Sequence, residues 1–408
     1  MKLTVHYRGR ADLPVIGTLA DDARGRIFFE FDADWRASGS ELSPIHLPLA
    51  TTGSLTTGDP AFSPLFGLFD DSLPDWWGQK VMRRHFEEMK IPWSEVGPLQ
   101  KLACQGAFSL GALAYVPDLS PKSFRDAATT EVAQLVDSAR HLYRGDSAEI
   151  IPALIRGGLS PGGALPKALI AFNPDFTQVS AGGAEVSAGF NGWLIKFQID
   201  PEDHLCRQEH ALSLMAAAAG IRVPETRLFQ TPEGAAHFMT RRFDLNGNAP
   251  IHLHSYAGLT HTPVRDLIDY SDLLDLTREL TARESEVDEM FRRAVFNIAI
   301  ANDDDHSRNH AFLMDASGEW MLSPAYDITR SGYALGSGFR AAGVRGKFSG
   351  ITPDDMSALA AAHGLRRVEE KIEAVLGAIR LWPSFAEQAG LRDSEAALLQ
   401  NEFPAGRW

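Results

Sequence analysis

The densest chemistry in this sequence is Ala301-Asn302-Asp303-Asp304-Asp305-His306-Ser307-Arg308-Asn309-His310, a run with three consecutive carboxylates. Adjacent like charges repel and gain nothing for a core, so a cation or solvent must compensate them. Asp304 and Asn309 are spaced to pair a proton-accepting carboxylate with an amide oxygen able to bind a divalent metal. Tyr326-Asp327-Ile328 follows, an acid between apolar neighbours. It is suited to deliver a further metal ligand from a short strand and turn. Taken singly, the acidic run also fits a solvated loop at a helix end, and Asp327 a turn acid.

Groups upstream turn this set toward phosphoryl transfer. Lys196 lies in Trp193-Leu194-Ile195-Lys196-Phe197, a cation inside an apolar strand, where burial is costly unless the charge is paired. The next helix, expected over Pro201–Ala219 with Asp200 as N-cap and Asp203 at N3, carries Leu205, Leu212, Met215 and Ala219 on one stripe. Glu209 falls on that stripe. A Lys–Glu pair of this kind orients ATP phosphates in kinases, whereas a lysine snorkelling from an edge strand would need no partner. Gly157-Gly158-Leu159-Ser160-Pro161-Gly162-Gly163-Ala164 precedes the first strand of this region, where a phosphate-covering loop belongs. It is neither a Walker A sequence nor the Gly-x-Gly-x-x-Gly of standard protein kinases. Ser160 there has a flexible setting suited to phosphorylation.

These residues need elements to hold them. The 408 residues, 44% hydrophobic and 23% charged, suffice for two or three domains. Short alternating strands are expected at Leu3–Tyr7, Arg26–Phe31 and Gly111–Val116, with a helix after Ser72-Leu73-Pro74-Asp75 whose Trp76, Trp77, Val81 and Met82 face the core. A helical pattern covers about Thr130 to Arg156. Strands follow at Lys167–Phe172, Gly192–Phe197, Thr226–Gln230 and His237–Thr240. From about Phe243 the pattern is mostly helical, and Ser285–Asn302 is apolar on all sides. The fold class expected is α+β, a small mixed lobe and a large helical lobe with a ligand cleft. The formal net charge of -14 argues against general nucleic-acid affinity, so contact with DNA would fall to a partner. Cys104 and Cys206 match no metal spacing and read as buried apolar groups in a reducing, cytoplasmic compartment. No apolar run is long enough to span a membrane, and the N-terminus lacks the pattern of a signal peptide.

Together these residues resemble the HipA family. Its Ser-x-x-Gly-x-x-x-Lys loop is matched by Ser160, Gly163 and Lys167. Its Gly-Asn-x-Asp-x-His-x-x-Asn loop is matched by Asn302, Asp304, His306 and Asn309, with Ala301 where many members carry Gly. Tyr326-Asp327 matches its metal motif and Arg242-Phe243-Asp244 its post-hinge motif. Leu73-Pro74-Asp75 and Gly111-Ala112-Leu113 look like its accessory N-terminal region. The resemblance implies a divergent protein-kinase-like bilobal fold, with residues 1–122 as accessory subdomain, 123–243 as kinase N-lobe and 244–408 as C-lobe.

The resemblance implies a serine/threonine protein kinase using ATP and Mg²⁺. Asp304 would act as base, Asn309 and Asp327 as metal ligands, and Lys196 and Glu209 as the phosphate-orienting pair. ATP contacts would come also from Ser160, Gly162, Gly163, Lys167, Met239, Thr240, Arg241, Phe243 and His306, the last bracing the loop. Ser160 would be autophosphorylated, and its phosphate would switch the enzyme off by clashing with the acidic site or withdrawing the loop. The implied partners are a helix-turn-helix antitoxin (HipB-like), operator DNA through it, and a translation-related substrate such as an aminoacyl-tRNA synthetase. Readings still open at this level are a small-molecule or lipid kinase, a phosphoesterase binding metal through Asp303, Asp304, Asp305 and His306, and a non-catalytic ATP-binding regulator.

Overall fold

Alternation of apolar and polar residues along Lys2–Tyr7 builds the first strand, whose Leu3, Val5 and Tyr7 are buried. A computed structural model of the chain describes residues 1–408 apart from 58, 121–131, 146–164, 182–185, 187, 201, 232–233 and 331–339. The chain forms two units, one of residues 1–199, 239–262 and 313–319, the other of residues 200–238, 263–312 and 320–408.

In the first unit an antiparallel sheet runs in the spatial order Ile27–Phe31, Val15–Asp21, Lys2–Tyr7, Leu113–Val116. Val15–Asp21 is a strand the sequence reading missed. The helix after Pro74 runs Trp76–Glu88, capped by the Asp75 carboxylate accepting from the Gly78 amide. Trp77 is fully buried, but Trp76 is 56% exposed, which corrects the expectation that both face the core. Consecutive helical residues point about 100° apart, so the stripe that buries Trp77, Val81 and Met82 turns Trp76 outward. Lys80 lies over the Trp76 ring instead. Further along, the helix Val132–Arg144 occupies the described part of the expected 130–156 helix. A second sheet places Val179–Ala181, Lys167–Phe172 and Asn191–Lys196 side by side.

Two short helices of this unit, Gly67–Asp70 and Tyr256–Thr260, meet through glycine. A Cβ on Gly67 would stand 1.8 Å from the Gly258 carbonyl oxygen, and the Gly67 amide donates to His261 Nε2 at 3.0 Å. Gly67→Ala is therefore expected to lower unfolding stability by about 1–3 kcal/mol, read as a lower denaturant midpoint. Beside this crossing, His254 bridges Asp71 (Nδ1 to Oδ2, 2.6 Å) and Ser43 (Nε2 to Oγ, 3.0 Å). That is the bonding order of a hydrolytic triad, but Ser43 and His254 are 1% and 0% exposed, so no substrate reaches the hydroxyl. The relay fastens three chain segments.

In the second unit the helix Glu284–Ala299 is buried nearly all round, with Val287, Met290, Phe291, Ala294, Val295, Phe296 and Ile298 all inside. Tyr270–Thr281 and Val368–Arg380 pack against it, and Trp382–Gln388 packs on Leu205–Ala218. The helix expected from Pro201 begins only at Leu205. Asp200 and Asp203 each accept from a backbone amide two residues on (Glu202, 3.0 Å; Leu205, 2.8 Å). These local bonds hold the segment in turns and compete with helical pairing. Pro201 lies outside the described residues. Both cysteines are buried and neither is in a disulfide, and burial pushes the Cys104 thiol up to about 12. Among the described residues no helix is long and apolar enough to cross a membrane.

Candidate active site

The acidic run begins where the buried helix ends. The Ile300 amide bonds Phe296 O, the Ala301 amide Ile298 O and the Asn302 amide Asn297 O, closing the helix with Ala301 at φ +54°. This left-handed position is normally given to glycine. Ala301→Gly is expected to raise stability by about 0.4–1 kcal/mol with no loss of function, checked by thermal melting.

The three aspartates then separate. Asp305 turns into the core and is 2% exposed, its Oδ1 2.8 Å from His310 Nε2. Tyr270 donates its hydroxyl to Asp305 Oδ2 and accepts from Asn297 Nδ2 at 3.0 Å. Asn302 donates to Asn297 Oδ1, and the Asn302 carbonyl accepts from Arg340 Nη2 at 2.8 Å. Burial pushes the Asp305 carboxyl up, but the His310 charge and hydrogen bond, with the Tyr270 hydroxyl, outweigh it and hold the group below the usual range. The expectation that the three carboxylates contribute nothing to a core is thus wrong for Asp305, because a histidine five residues on compensates it. A metal site using Asp303, Asp304, Asp305 and His306 together loses a member for the same reason.

Asp304 stays half-buried at the surface of this unit. Burial raises its carboxyl above the usual range, His306 opposes that, and the charges of Asp327, Asp305 and Asp303 push further up. A cation beside Asp304 and Asp327 would relieve this repulsion. Asn309 donates its Nδ2 to the Asp304 carbonyl at 2.7 Å, which fixes the amide and leaves its Oδ1 as an acceptor. His306 Nδ1 accepts from the Arg308 amide at 3.2 Å and caps the short 3₁₀ turn Ser307–Asn309.

The Asp327 segment is tied to this loop. Tyr326 donates its hydroxyl to the Arg308 carbonyl at 2.6 Å. Asp327 itself has φ +53°, a left-handed conformation that aspartate tolerates better than most residues and that concentrates at functional sites. The strand Trp320–Leu322 before it is anchored by the Glu286 carboxylate, which accepts from the Leu322 amide and from Arg222 (3.0 and 2.6 Å). Arg293 adds a bond to the Ser323 carbonyl at 2.7 Å. Among the described residues no three His, Cys, Asp or Glu side chains form a preformed metal cage. The donors present, the Asp327 carboxylate and the Asn309 amide oxygen, are hard oxygen ligands that suit Mg²⁺ shared with substrate phosphates. They fit that ion.

Glu209 lies on Leu205–Ala218 and is 2% exposed, on the inward stripe as expected. In the other unit, Lys196 is buried on Asn191–Lys196, in register opposite Lys167. Lys167 is 1% exposed and its Nζ lies 2.5 Å from Asp75, the cap of the Trp76 helix; its carbonyl accepts from Trp77 Nε1 at 2.9 Å. Two of the motifs noted in sequence, Leu73-Pro74-Asp75 and the lysine of the Gly-rich loop, therefore meet. So do two others. Arg242 grips Asp244 through two hydrogen bonds (3.0 and 2.7 Å), and Asp244 also accepts from the Gly111 amide at 2.8 Å. On the strand Ala236–Arg241, Met239 is buried, Thr240 half-buried and Arg241 exposed, bonding Asn191 at 2.7 Å. Phe243 is half-buried beyond it. Ser160, Gly162, Gly163 and the rest of the Gly-rich loop lie outside the described residues. Sequence reasoning missed Tyr270, His310 and Arg340, the supports of the acidic loop. The histidine five residues after Asp305 was a readable signal; Tyr270 and Arg340 gave none.

Residues 5–116 match the HipA N-terminal domain and residues 159–396 the HipA-like C-terminal domain. The chain belongs to the HipA family. Its fold is that of HipA from Shewanella oneidensis MR-1, seen in a toxin–antitoxin complex with HipB and operator DNA. The two share 20% identity with a TM-score of 0.71, over 98% of this chain and 94% of that one. The Helicobacter pylori proinflammatory kinase CtkA aligns at 15% identity and a TM-score of 0.36, over 52% of this chain and 88% of its own. Y4dM of Sinorhizobium fredii, whose name proposes a kinase, is 26% identical over 162 residues, 36% of this chain and 40% of that protein. The match thus spans well under half of that relative.

Proposed function

We propose that this chain is an ATP- and Mg²⁺-dependent serine/threonine protein kinase and the toxin of a HipA/HipB-like toxin–antitoxin module. The observation that carries the reading is the tie between the two acidic segments. Asn309 is locked onto the Asp304 backbone, Tyr326 onto the Arg308 backbone, and the Asp304 carboxyl, raised first by burial, is raised further by the Asp327 charge.

In this reading Asp304, ionised, orients the acceptor hydroxyl and takes its proton. Asn309 Oδ1 and the Asp327 carboxylate hold Mg²⁺, which when bound neutralises charge on the phosphate oxygens. Lys196 contacts those oxygens, with Glu209 as its orienting acid. Met239, Thr240, Arg241 and Phe243 line the adenine side, and His306 keeps the loop in shape. Lys167, held by Asp75, fixes the strand that follows the Gly-rich loop. Residues 1–122 serve as the accessory subdomain, 123–243 as N-lobe and 244–408 as C-lobe. Ser160 is the autophosphorylation site. The partners proposed are a HipB-like antitoxin carrying the operator contact, as in the Shewanella complex, and a cytoplasmic translation-related substrate such as an aminoacyl-tRNA synthetase.

The test is the intact mass of dephosphorylated protein after incubation with Mg²⁺ and ATP, beside Ser160→Ala and Asp304→Ala. One phosphoryl group on the parent, and on neither variant, is the expected result. An unchanged parent mass, with no phosphate passed to a protein acceptor, would overturn the kinase assignment.

A further inference from the structure

Behind the acidic loop, within the second unit, lies a cavity of about 430 Å³ that the proposed reaction does not use. Its lining mixes apolar side chains, Ile298, Phe348 and Ile351, with Ser349 and Thr352, and two ionisable side chains reach it, Asp303 and Arg340. Phe348 holds its place because Gly343 leaves room for the ring; a Cβ there would stand 2.6 Å from it.

Arg340 sets the chemistry. It is only 7% exposed, yet its side-chain hydrogen bonds are few: Nε donates to the Ala342 carbonyl at 2.6 Å and Nη2 to the Asn302 carbonyl at 2.8 Å. Among the described residues Nη1 has no acceptor. The Asp305 carboxylate answers part of its charge through space, but a guanidinium cannot shed its proton, and the spare Nη1 donors still call for an acceptor, best an anionic one. Asp303 does not fill that role. It stands in the field of Arg330, which also pairs with Glu402.

We infer that this cavity is a binding site for a small anion with an apolar body, its charged end on Arg340 and its body against Phe348 and Ile351. Because the same guanidinium holds the Asn302 carbonyl, such a ligand would bear directly on the start of the acidic loop. The inference does not rest on the kinase reading, since binding is measured without nucleotide.

The probe is anilinonaphthalene sulfonate, whose fluorescence rises in apolar surroundings, titrated into the full chain. Phenylnaphthylamine, the same ring system without the sulfonate, is titrated in parallel. One saturable equivalent is expected, with the sulfonate bound about tenfold more tightly or better than the neutral dye. Arg340→Met should remove that preference. Since this variant also loses the tie to Asn302 and could unfold, hydrogen exchange on the parent supplies a second measurement. Bound sulfonate should slow amide exchange in residues 348–352 and 301–303. Equal affinity for both dyes, sulfonate binding unaffected in a folded Arg340→Met, or protection confined elsewhere would each overturn the assignment.

Discussion

Asp304→Ala is expected to slow phosphoryl transfer by about 10²–10⁴-fold while leaving the fold intact, the usual range for removing a positioned general base. The structure gives this expectation a second half. Among the described residues the Asp304 side chain makes no hydrogen bond that holds the loop, and the bond from Asn309 goes to the Asp304 carbonyl of the main chain. Its carboxyl is raised above the ordinary value by burial and by neighbouring acids, against the opposing charge of His306. A raised carboxyl means the native state binds the proton more tightly than the unfolded chain does. Stability therefore falls as pH rises through the interval between the ordinary and the raised value, and at neutral pH the ionised group works against the fold. Asp304→Ala should accordingly melt no lower than the parent at neutral pH, and higher if the repulsion dominates. Thermal melting beside the phosphoryl-transfer rate checks both halves. A variant both inactive and strongly destabilised would make Asp304 a structural residue.

One position along, the outcome reverses. Asp305→Ala is expected to lower stability by about 3–5 kcal/mol, the range for breaking a buried ion pair by removing one partner. It would strand His310 and deprive the Tyr270 hydroxyl of its acceptor. Here the folded carboxyl lies below the ordinary value, so its contribution is complete above the normal carboxylate range and is lost as pH falls through the depressed value. A denaturant series from neutral to acid pH should show parent and variant converging at the acid end. A constant gap between them would locate the effect in packing and not in the charge.

The acidic loop was legible because its parts are close in sequence. Asp304, Asn309 and His306 lie within one short segment, and the helix before them announces itself through apolar spacing. The strands Lys2–Tyr7, Ile27–Phe31, Lys167–Phe172 and Asn191–Lys196 were legible for the same reason. Val15–Asp21 was not. Neither was the start of the Leu205 helix, where two aspartates that look like caps make turns instead.

What the sequence by itself determined is therefore the set of reactive groups, their spacing, and the local elements carrying them, since periodicity and capping act within a few residues. Only the tertiary structure decided which of three adjacent aspartates enters the core. That choice depends on Tyr270, 35 residues away, and on Arg340, which holds the loop from 38 residues beyond Asn302. It also decided that Asp244 meets the Gly111 amide across 133 residues and that Lys167 meets Asp75. Burying a charge is tolerable only beside a partner, and such partners are brought together by the packing of whole elements, which no local pattern specifies.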